Sequence, residues 1–235
     1  MNEINYSIVI TTFDKRFDEY LKPLIKEIKK QSNNIEIILP VNGSYKKEFN
    51  NEYRKNLLLY ISQYNNIYPI FYTKFNSLSK IWNRSIQNCS SDKVLVLNDD
   101  ISIKNNFLEF INHQNTNSLL TINNIFSHFV VQKHFLNSIN WFDERFLGIG
   151  WEDLDVREKL YYNIENINTD LVYSFHIETY SAIPESIKPA IGESGPSKYS
   201  KFNESFFEQK VRNNLYPEIK QYPYWEFEIE KYENL

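Results

Sequence analysis

The chain has 235 residues, a formal net charge of -4 and a single cysteine, Cys89. The negative charge gives no broad attraction for nucleic acid and no nucleic-acid-binding motif is present, so that class of partner is excluded. One cysteine excludes an intrachain disulfide and favours a reducing compartment, with the cytoplasm as the default.

The first hundred residues alternate strand and helix patterns. Residues 7–12 form a β-branched run that predicts a buried strand, and residues 17–30 carry apolar side chains at the helical period, with Pro23 near the first turn. Further predicted strands are residues 35–41, 68–73 and 93–97, and further predicted helices are residues 46–61 and 77–88. This alternation predicts a mixed, mostly parallel central sheet flanked by helices.

The remaining residues contain shorter elements. The predicted helices are residues 105–114, 133–138, 151–162 and 202–214, and the predicted strands are residues 119–123, 129–132 and 171–176. Residues 183–200 contain several prolines and glycines without periodicity, which predicts a mobile loop that either closes over a ligand or serves only as a connector. We expect a single α/β domain over residues 1–215 and a C-terminal tail over residues 216–235.

The sequence pattern predicts neither a secretory signal nor a membrane-spanning segment. Residues 1–6 lack the basic flank and apolar stretch of a secretory signal, and no run reaches the roughly 18 apolar residues that span a bilayer. We therefore expect a cytoplasmic protein. Peripheral association with the inner face of a membrane stays open, because lysines recur at helical spacing beside apolar residues; such lysines more often form a solvated helix face. They are Lys22, Lys26, Lys29 and Lys30.

An acidic motif, Asn98-Asp99-Asp100, ends the predicted strand 93–97. Ligands of open α/β sheets bind at the carboxyl ends of strands, where a carboxylate can hold a divalent cation over a diphosphate. Asp100 is the leading candidate ligand, and His176, at the end of another predicted strand, could complete a site for Mn²⁺. The alternatives are a capping acid at a strand end and a hydrogen-bonded structural histidine.

A second acidic motif, Gly150-Trp151-Glu152-Asp153, opens the predicted helix 151–162. The helix dipole would keep an acid in the first turn ionised, so Asp153 could accept a proton from an attacking hydroxyl group. Gly148 and Gly150 suggest a close approach of substrate or backbone. Acids are also common helix-start signals, and the Trp151 indole could be either a wall for a sugar or a core anchor.

The combined pattern resembles family 2 glycosyltransferases of the GT-A fold. The resemblance is carried by SIVITTF, VNGS, SLSKIWNRSIQNCSSDKVLVLNDD, FDERFLGIGWEDLD and the later His176, and covers most of residues 5–180. The segment WFDERFLGIGWEDLDVREKL is similar to the acceptor-side segment of inverting transferases of the β4-galactosyltransferase and polypeptide GalNAc-transferase types. The resemblance implies a Rossmann-like GT-A domain with a nucleotide-sugar half, residues 1–100, and an acceptor half, residues 101–215.

The resemblance also implies roles for individual residues. Asp100 and His176 would bind Mn²⁺ or Mg²⁺, and Asp153 would be the catalytic base. The implied acceptor residues are Glu152, Trp151 and Gly150. The donor-side residues are Thr11, Thr12, Asp14, Asn42, Asn98 and Asp99, together with Lys80 and Arg84, which could approach a diphosphate or could simply be exposed basic residues.

Two departures from the family pattern concern the donor side. Asn98 stands where the first acid of the DxD motif is usual, and Asn42 stands where many relatives have an aspartate near the nucleotide base. An amide still forms hydrogen bonds but lowers the negative charge around a cation. Metal-independent activity therefore stays open.

The predicted function is inverting, metal-dependent transfer of a hexose or N-acetylhexosamine from a nucleotide-diphosphate sugar, with UDP as the expected nucleotide. The expected acceptor is a saccharide or lipid-linked saccharide of a bacterial surface glycan. A nucleotide-sugar-binding module without turnover is one alternative, suggested by the two asparagines. A sugar nucleotidyltransferase is the other, and the lack of a glycine-rich phosphate loop near the N-terminus disfavours it.

Overall fold

The structure is a computed structural model that describes residues 5–13, 16–43, 50–103, 106–114, 119–122, 125–167, 173–175, 180–182 and 199–215. Its strands are β1 (Ser7–Phe13), β2 (Ile37–Asn42), β3 (Ile67–Phe71), β4 (Lys93–Asn98), β5 (Ile101–Ile103), β6 (Leu119–Ile122), β7 (Ile125–Gln132), β8 (Tyr173–Phe175) and β9 (Tyr180–Ala182). Its helices are α1 (Lys22–Gln31), α2 (Asn51–Ile61), α3 (Leu78–Asn88), α4 (Phe107–His113), α5 (Lys133–Ser138), α6 (Glu152–Ile167) and α7 (Ser200–Arg212). A π-helical turn, Phe17–Leu21, precedes α1.

The main sheet has the strand order β3-β2-β1-β4-β7-β6-β8. The pairs β1–β2, β2–β3, β1–β4 and β6–β8 are parallel, whereas β7 is antiparallel to both β4 and β6. This arrangement confirms the predicted α/β fold with a mixed, mostly parallel sheet. Strand β1 lies between β2 and β4, so the chain order reverses beside it, and open sheets bind ligands at such a reversal.

Hydrophobic side chains cover both faces of the sheet because every second residue of a strand points to the same face. On one face Ile8 and Ile10 pack in a core cluster with residues of α1 and α4. On the other face Val9 belongs to a cluster that contains Trp82 and Ile86 of α3. Strands buried on both faces explain the continuous apolar runs in the sequence.

Several elements differ from the sequence prediction. The short pair β5–β9 was not predicted, because three residues are too few to show a period. Strand β7 begins before the predicted strand 129–132, and α6 extends beyond the predicted helix 151–162. The predicted helix 202–214 is α7, with slightly different ends. Most of the predicted loop and the tail, residues 183–198 and 216–235, lie outside the described residues.

The lysine-rich face of α1 differs from the expected solvated face at one position. Lys29 is buried, and its Nζ donates hydrogen bonds to the carbonyl oxygens of Asn33 and Ile35 and to Oδ1 of Asn66. Burial also lowers the pKa of Lys29 to about 8. The apolar residues beside the lysines, Leu21, Leu24, Ile25 and Ile28, are core residues. This side of the helix is therefore used for packing, and membrane association remains a prediction.

No helix in the described ranges combines the length and the apolar character needed to cross a bilayer.

Replacing Lys29 with methionine should destabilise the fold. The substitution keeps the aliphatic stem but removes the donor from two carbonyl oxygens and one amide oxygen, which should lower the free energy of unfolding by about 1–3 kcal/mol. Urea denaturation followed by circular dichroism measures this change. Lys30→Met is the matched control, because Lys30 is exposed and pairs with Glu27, three residues earlier on the same helix, and its effect should stay within about 0.5 kcal/mol. Equal effects of the two substitutions would contradict this interpretation.

Candidate active site

The first acidic motif lies where β1 and β4 end, and an arginine binds both of its aspartates. The Arg16 Nε atom is 2.7 Å from Oδ1 of Asp99, and Nη2 of Arg16 is 2.9 Å from Oδ2 of Asp100. The Thr12 hydroxyl donates a 2.5 Å hydrogen bond to the other oxygen of Asp99. The structure therefore brings together Thr12, Asp99 and Asp100, three of the predicted site residues, around Arg16.

The local backbone and two aromatic rings hold Arg16 in place. The backbone carbonyl of Arg16 accepts hydrogen bonds from the amides of Tyr20 and Leu21 in the π-helical turn. Its guanidinium lies 4.9 Å from the ring centre of Phe13 and 5.0 Å from that of Tyr20, within cation–π range. The sequence prediction missed Arg16 because no spacing rule relates the loop after β1 to the end of β4.

The two acidic partners of Arg16 differ in how deeply they are buried. Asp99 is only 2% exposed, and burial raises the pKa of its carboxyl group to about 7, although the Arg16 charge and the Thr12 hydrogen bond act in the opposite direction. Asp100 is more accessible, with a side chain that is 13% exposed. Asp99 is thus a largely structural partner of Arg16, whereas Asp100 lies closer to the space where a ligand would bind.

Among the described residues, the carboxylate that fits a divalent cation is that of Asp100. Both oxygens of Asp99 are engaged, and within the described ranges no group of three or more histidine, cysteine or acidic side chains could hold a metal ion. The second predicted ligand, His176, lies outside the described residues. Magnesium-type ions commonly use one or two carboxylates together with substrate phosphates. Asp100 fits that type of site.

Of the other donor-side candidates, Thr11, Asn98 and Asn42 lie at the same edge of the sheet. Thr11 pairs in register with Asn98, and Phe13 pairs with Asn42. The Thr11 hydroxyl oxygen is buried and has no hydrogen-bond partner among the described residues. On α3, Lys80 is half-buried and Arg84 is exposed. Asp14 lies outside the described residues.

Asn42 has a structural role that its position in the motif did not reveal. Its amide donates to the carbonyl oxygen of Asn76, and its Oδ1 accepts hydrogen bonds from the backbone amides of Asn76 and Gly43. A Cβ on Gly43 would lie 2.5 Å from the carbonyl carbon of Lys74, so only glycine allows this approach of the two backbones. Asn42 thereby fixes the segment that leads into α3.

Helix α3 connects this edge to the segment that carries the second acidic motif. The Leu78 amide at the start of α3 donates a 2.8 Å hydrogen bond to the Gly148 carbonyl oxygen. Further along α3, the buried Asn83 donates to the Phe142 carbonyl oxygen and accepts from the Phe142 amide. Hydrogen bonds thus connect the end of β2, through α3, to the loop of residues 146–151, which we call the motif loop.

The motif loop has a backbone that few residues adopt. Gly148, Gly150 and Trp151 have φ angles of 59°, 111° and 74°. A left-handed conformation is rare for tryptophan and must be held by surrounding contacts. The sequence predicted the helix from Trp151, but Trp151 lies just before it and α6 begins at Glu152. The chain therefore turns sharply at the residue that precedes the two acids.

Glu152 and Asp153 have different surroundings. Glu152 is 5% exposed, and its Oε2 accepts a 2.6 Å hydrogen bond from the Gly150 amide. Burial raises the pKa of Glu152 to about 7, and the charges of Asp153 and Asp155 act in the same direction. Asp153 is half-buried at the first turn of α6. Glu152 thus closes the motif loop onto the helix, while Asp153 is the more accessible acid.

Two further residues that the sequence prediction missed lie on α7. Asn203 forms hydrogen bonds with the backbone of Leu147 and Gly150, and Lys210 pairs with Asp143 and Asp155. A buried asparagine in an amphipathic helix is a weak signal in a sequence, because nothing in its spacing indicates its partner. These residues attach α7 to the motif loop and to α6.

Comparison with known proteins assigns the class of this fold. Residues 7–186 match the family described as Glycosyl transferase family 2. The match covers most of the chain, so the protein belongs to that family, and the predicted enzyme class, a glycosyltransferase, is confirmed. A comparison with curated protein sequences gives no match.

Solved structures show the same fold. The chain is similar to S. aureus TarS, with 13% identity and a TM-score of 0.59 over 89% of this chain and 40% of that one. It is also similar to TarS 1-349 in complex with UDP-GlcNAc, with 15% identity and a TM-score of 0.55 over 75% of this chain and 57% of that one. For the mannosyltransferase PcManGT of Pyrobaculum calidifontis, in complex with GDP-Man and Mn²⁺, the identity is 8% and the TM-score 0.57, over 92% of this chain and 72% of that one.

The identities to these solved structures are low, and this chain spans only part of the TarS structures. In the TarS 1-349 structure this chain spans 60% of the length. The likeness confirms the predicted GT-A fold.

The raised pKa of Glu152 predicts a pH-dependent stability. An unfolded glutamate ionises near its ordinary pKa, whereas the folded Glu152 keeps its proton up to about pH 7, so its contribution is complete at low pH and is lost as the pH rises. The thermal midpoint should therefore decrease as the pH is raised from 5 to 8. The loss of unfolding free energy from this residue should be on the order of 3 kcal/mol at most. Differential scanning calorimetry across this range measures the fall.

Glu152→Gln separates this contribution from that of Asp99, which has a shift in the same direction. Glutamine keeps an oxygen that can accept from the Gly150 amide but does not ionise. The variant should show a smaller fall in midpoint than the wild-type protein. An identical pH dependence of the two proteins would show that Glu152 is not held protonated.

Proposed function

We propose that this protein is an inverting glycosyltransferase that moves a hexose or N-acetylhexosamine from a nucleotide-diphosphate sugar to a hydroxyl group of a saccharide. UDP is the nucleotide we expect, and a lipid-linked or surface glycan of a bacterium is the expected acceptor. Family membership supports the general reaction. The particular donor, the stereochemistry and the acceptor are the proposed parts.

The donor would bind at the carboxyl edge of β1, β2 and β4. Thr11 has a buried hydroxyl without a partner among the described residues, and Asn98 lies beside it in register, so both can offer hydrogen bonds to the nucleotide or ribose. Arg16 pairs with both Asp99 and Asp100, which would hold the Asp100 carboxylate at this edge beside the bound donor.

Asp100 and His176 would be the ligands of a divalent cation. A bound Mn²⁺ or Mg²⁺ would supply positive charge that stabilises the departing diphosphate. The use of Mn²⁺ by this chain is a proposal that the Mn²⁺ complex of PcManGT makes reasonable. Asn98 in place of an acid leaves the site with fewer negative charges, so we expect modest metal affinity.

Asp153 would be the general base of the reaction. It takes the proton of the acceptor hydroxyl group as that oxygen attacks the anomeric carbon, and the bond between the anomeric carbon and the diphosphate oxygen breaks. Attack from the face opposite the leaving group inverts the anomeric centre. Trp151 and Gly150 would line the acceptor side. Glu152, which precedes Asp153 in the sequence, would lie close to the acceptor hydroxyl groups.

The observation that carries this proposal is the run of hydrogen bonds from Asn42, at the carboxyl edge of the sheet, to the motif loop that precedes the second acidic motif. Asn42 fixes the segment before α3, the start of α3 holds the Gly148 carbonyl oxygen, and the Gly150 amide binds Glu152. A rigid connection of this kind suits a reaction in which a donor and an acceptor must meet with defined geometry.

The donor class is tested by calorimetry with UDP, GDP, CMP and dTDP sugars, each with and without Mn²⁺. We expect tight binding of one nucleotide class, strengthened by Mn²⁺, followed by release of the nucleotide diphosphate when a saccharide acceptor is added. Tight binding with neither hydrolysis nor transfer for any acceptor would instead favour a binding module that has lost turnover. No binding of any nucleotide sugar would contradict the proposal.

Asp153→Asn should reduce the rate of transfer without weakening the donor complex. The amide cannot accept the proton of the acceptor, so kcat should fall by about 10²- to 10⁴-fold, while the donor Kd stays close to that of the wild-type protein. Coupled detection of the released nucleotide diphosphate measures kcat, and calorimetry measures the Kd. Asp92→Asn, a substitution in the turn before β4, serves as the control and should behave as wild type. Normal turnover of Asp153→Asn would remove this residue from the mechanism.

Asp100→Ala should weaken donor binding only when the metal is present. Loss of the carboxylate removes a ligand of the cation, so the gain in donor affinity that Mn²⁺ gives the wild-type protein should largely disappear. Titration of donor into both proteins, with Mn²⁺ and with a chelator, measures the difference. A full Mn²⁺ effect in the variant would show that Asp100 is not a metal ligand.

A further inference from the structure

Helix α7 lies beyond the residues that match the family, 7–186, yet it packs against the motif loop. Four of its residues, Phe202, Asn203, Phe206 and Lys210, are buried and lie along one side of the helix. The outer residues, such as Lys201 and Glu204, are exposed. One face of α7 is therefore committed to a contact within this protein, and the contact includes the two polar side chains Asn203 and Lys210.

Asn203 uses its whole amide group to bind the backbone of the motif loop. Its Oδ1 accepts a 2.9 Å hydrogen bond from the Leu147 amide, and its Nδ2 donates bonds of 2.8 Å and 2.9 Å to the carbonyl oxygens of Leu147 and Gly150. The side chain is fully buried. One residue of α7 thus binds both sides of the sharp turn that precedes Glu152.

Lys210 joins the same helix to α6 and to the segment before the motif loop. Its Nζ pairs with Oδ2 of Asp143 at 2.9 Å and with Oδ1 of Asp155, while Lys159 pairs with the other oxygen of Asp155 at 3.2 Å. Asp155 lies in the first turns of α6, two residues after Asp153. Buried opposite charges in this arrangement resist separation, because each would lose its partner in a medium of low dielectric constant.

Aromatic contacts complete the attachment of α7. The rings of Phe146 and Phe206 meet edge to face with centroids 5.0 Å apart, and the indole of Trp151 lies 5.4 Å from the ring of Phe207. The positive φ of Trp151 costs energy that local contacts must offset. The Phe207 ring contacts the Trp151 indole, and Asn203 binds the carbonyl oxygen of the preceding Gly150, so α7 supplies contacts that hold the unusual turn.

We propose that Asn203 and Lys210 of α7 are positioning residues for the acceptor side, and that they hold the motif loop and the first turn of α6 so that Asp153 meets the saccharide hydroxyl group. This proposal rests on the proposed function, because it assigns α7 a role in the transfer reaction. Neither residue would touch the donor. Their loss should therefore affect the acceptor step and leave donor binding unchanged.

The first experiment measures the motif loop directly and needs no activity. Amide hydrogen exchange, followed by mass spectrometry, is compared for the wild-type chain, Asn203→Ala and the control Glu204→Ala, which changes the adjacent exposed residue. In Asn203→Ala, amide exchange at residues 146–155 should be at least about ten-fold faster than in the wild-type chain, because the turn loses three hydrogen bonds. Peptides of β1 and β4 should exchange as in the wild type. Unchanged exchange at residues 146–155 would overturn the proposal.

The second experiment measures the reaction with a saccharide acceptor, at a temperature where every variant is folded. Asn203→Ala should lower kcat by about 10²-fold, since misplacement of a catalytic group by about 1 Å has effects of this size, and the donor Kd should stay at the wild-type value. Wild-type kcat and acceptor KM in Asn203→Ala, or an equal loss of donor binding, would overturn the positioning role.

Lys210→Met provides a second variant in case Asn203→Ala does not fold. It keeps the aliphatic stem and should also lower kcat more than it affects donor binding, whereas Lys210→Arg, which keeps the charge, should recover part of the rate. Equal rates for the methionine and arginine variants would contradict the role of the charge.

If the wild-type chain transfers no sugar to any acceptor, the proposed function fails, and the exchange experiment still decides whether α7 holds the motif loop.

Discussion

Two adjacent carboxylates at the end of a buried strand repel each other, and the Arg16 guanidinium is the charge that lets Asp99 and Asp100 remain together at the end of β4. The ion pair joins the loop after β1 to the end of β4, the two strands between which the chain order reverses. It therefore fixes the geometry of the edge where α/β sheets bind ligands. Asp99 is the buried anchor of this cluster, and Asp100 is its more accessible member.

The second acidic motif depends on a different kind of restraint. The motif loop combines two glycines with a tryptophan at positive φ, a backbone that does not persist without external support. Part of that support comes from α3, which binds the Gly148 carbonyl oxygen, and part comes from α7 through Asn203. The sheet thus positions the first acidic motif directly, whereas helices packed on the sheet position the second acidic motif.

Chemistry at the two motifs follows from how deeply each acid is buried. Asp99 and Glu152 are nearly inaccessible and have raised pKa values, since burial disfavours their charged forms. Their neighbours in sequence, Asp100 and Asp153, are more exposed. Each motif therefore pairs a structural acid with an accessible one. In the proposed function, the accessible Asp100 is a metal ligand and the accessible Asp153 is the general base.

The sequence by itself determined the alternating strands and helices, the mixed, mostly parallel sheet and the two acidic motifs, because periodic burial and strand-end acids leave local patterns. Only the tertiary structure decided that Arg16 binds Asp99, that Lys29 is buried, that Trp151 precedes α6, and that Asn203 holds the motif loop. Each of these depends on contacts between segments far apart in the chain. Local periodicity carries no information about such partners, since they are chosen by the packing of complete elements.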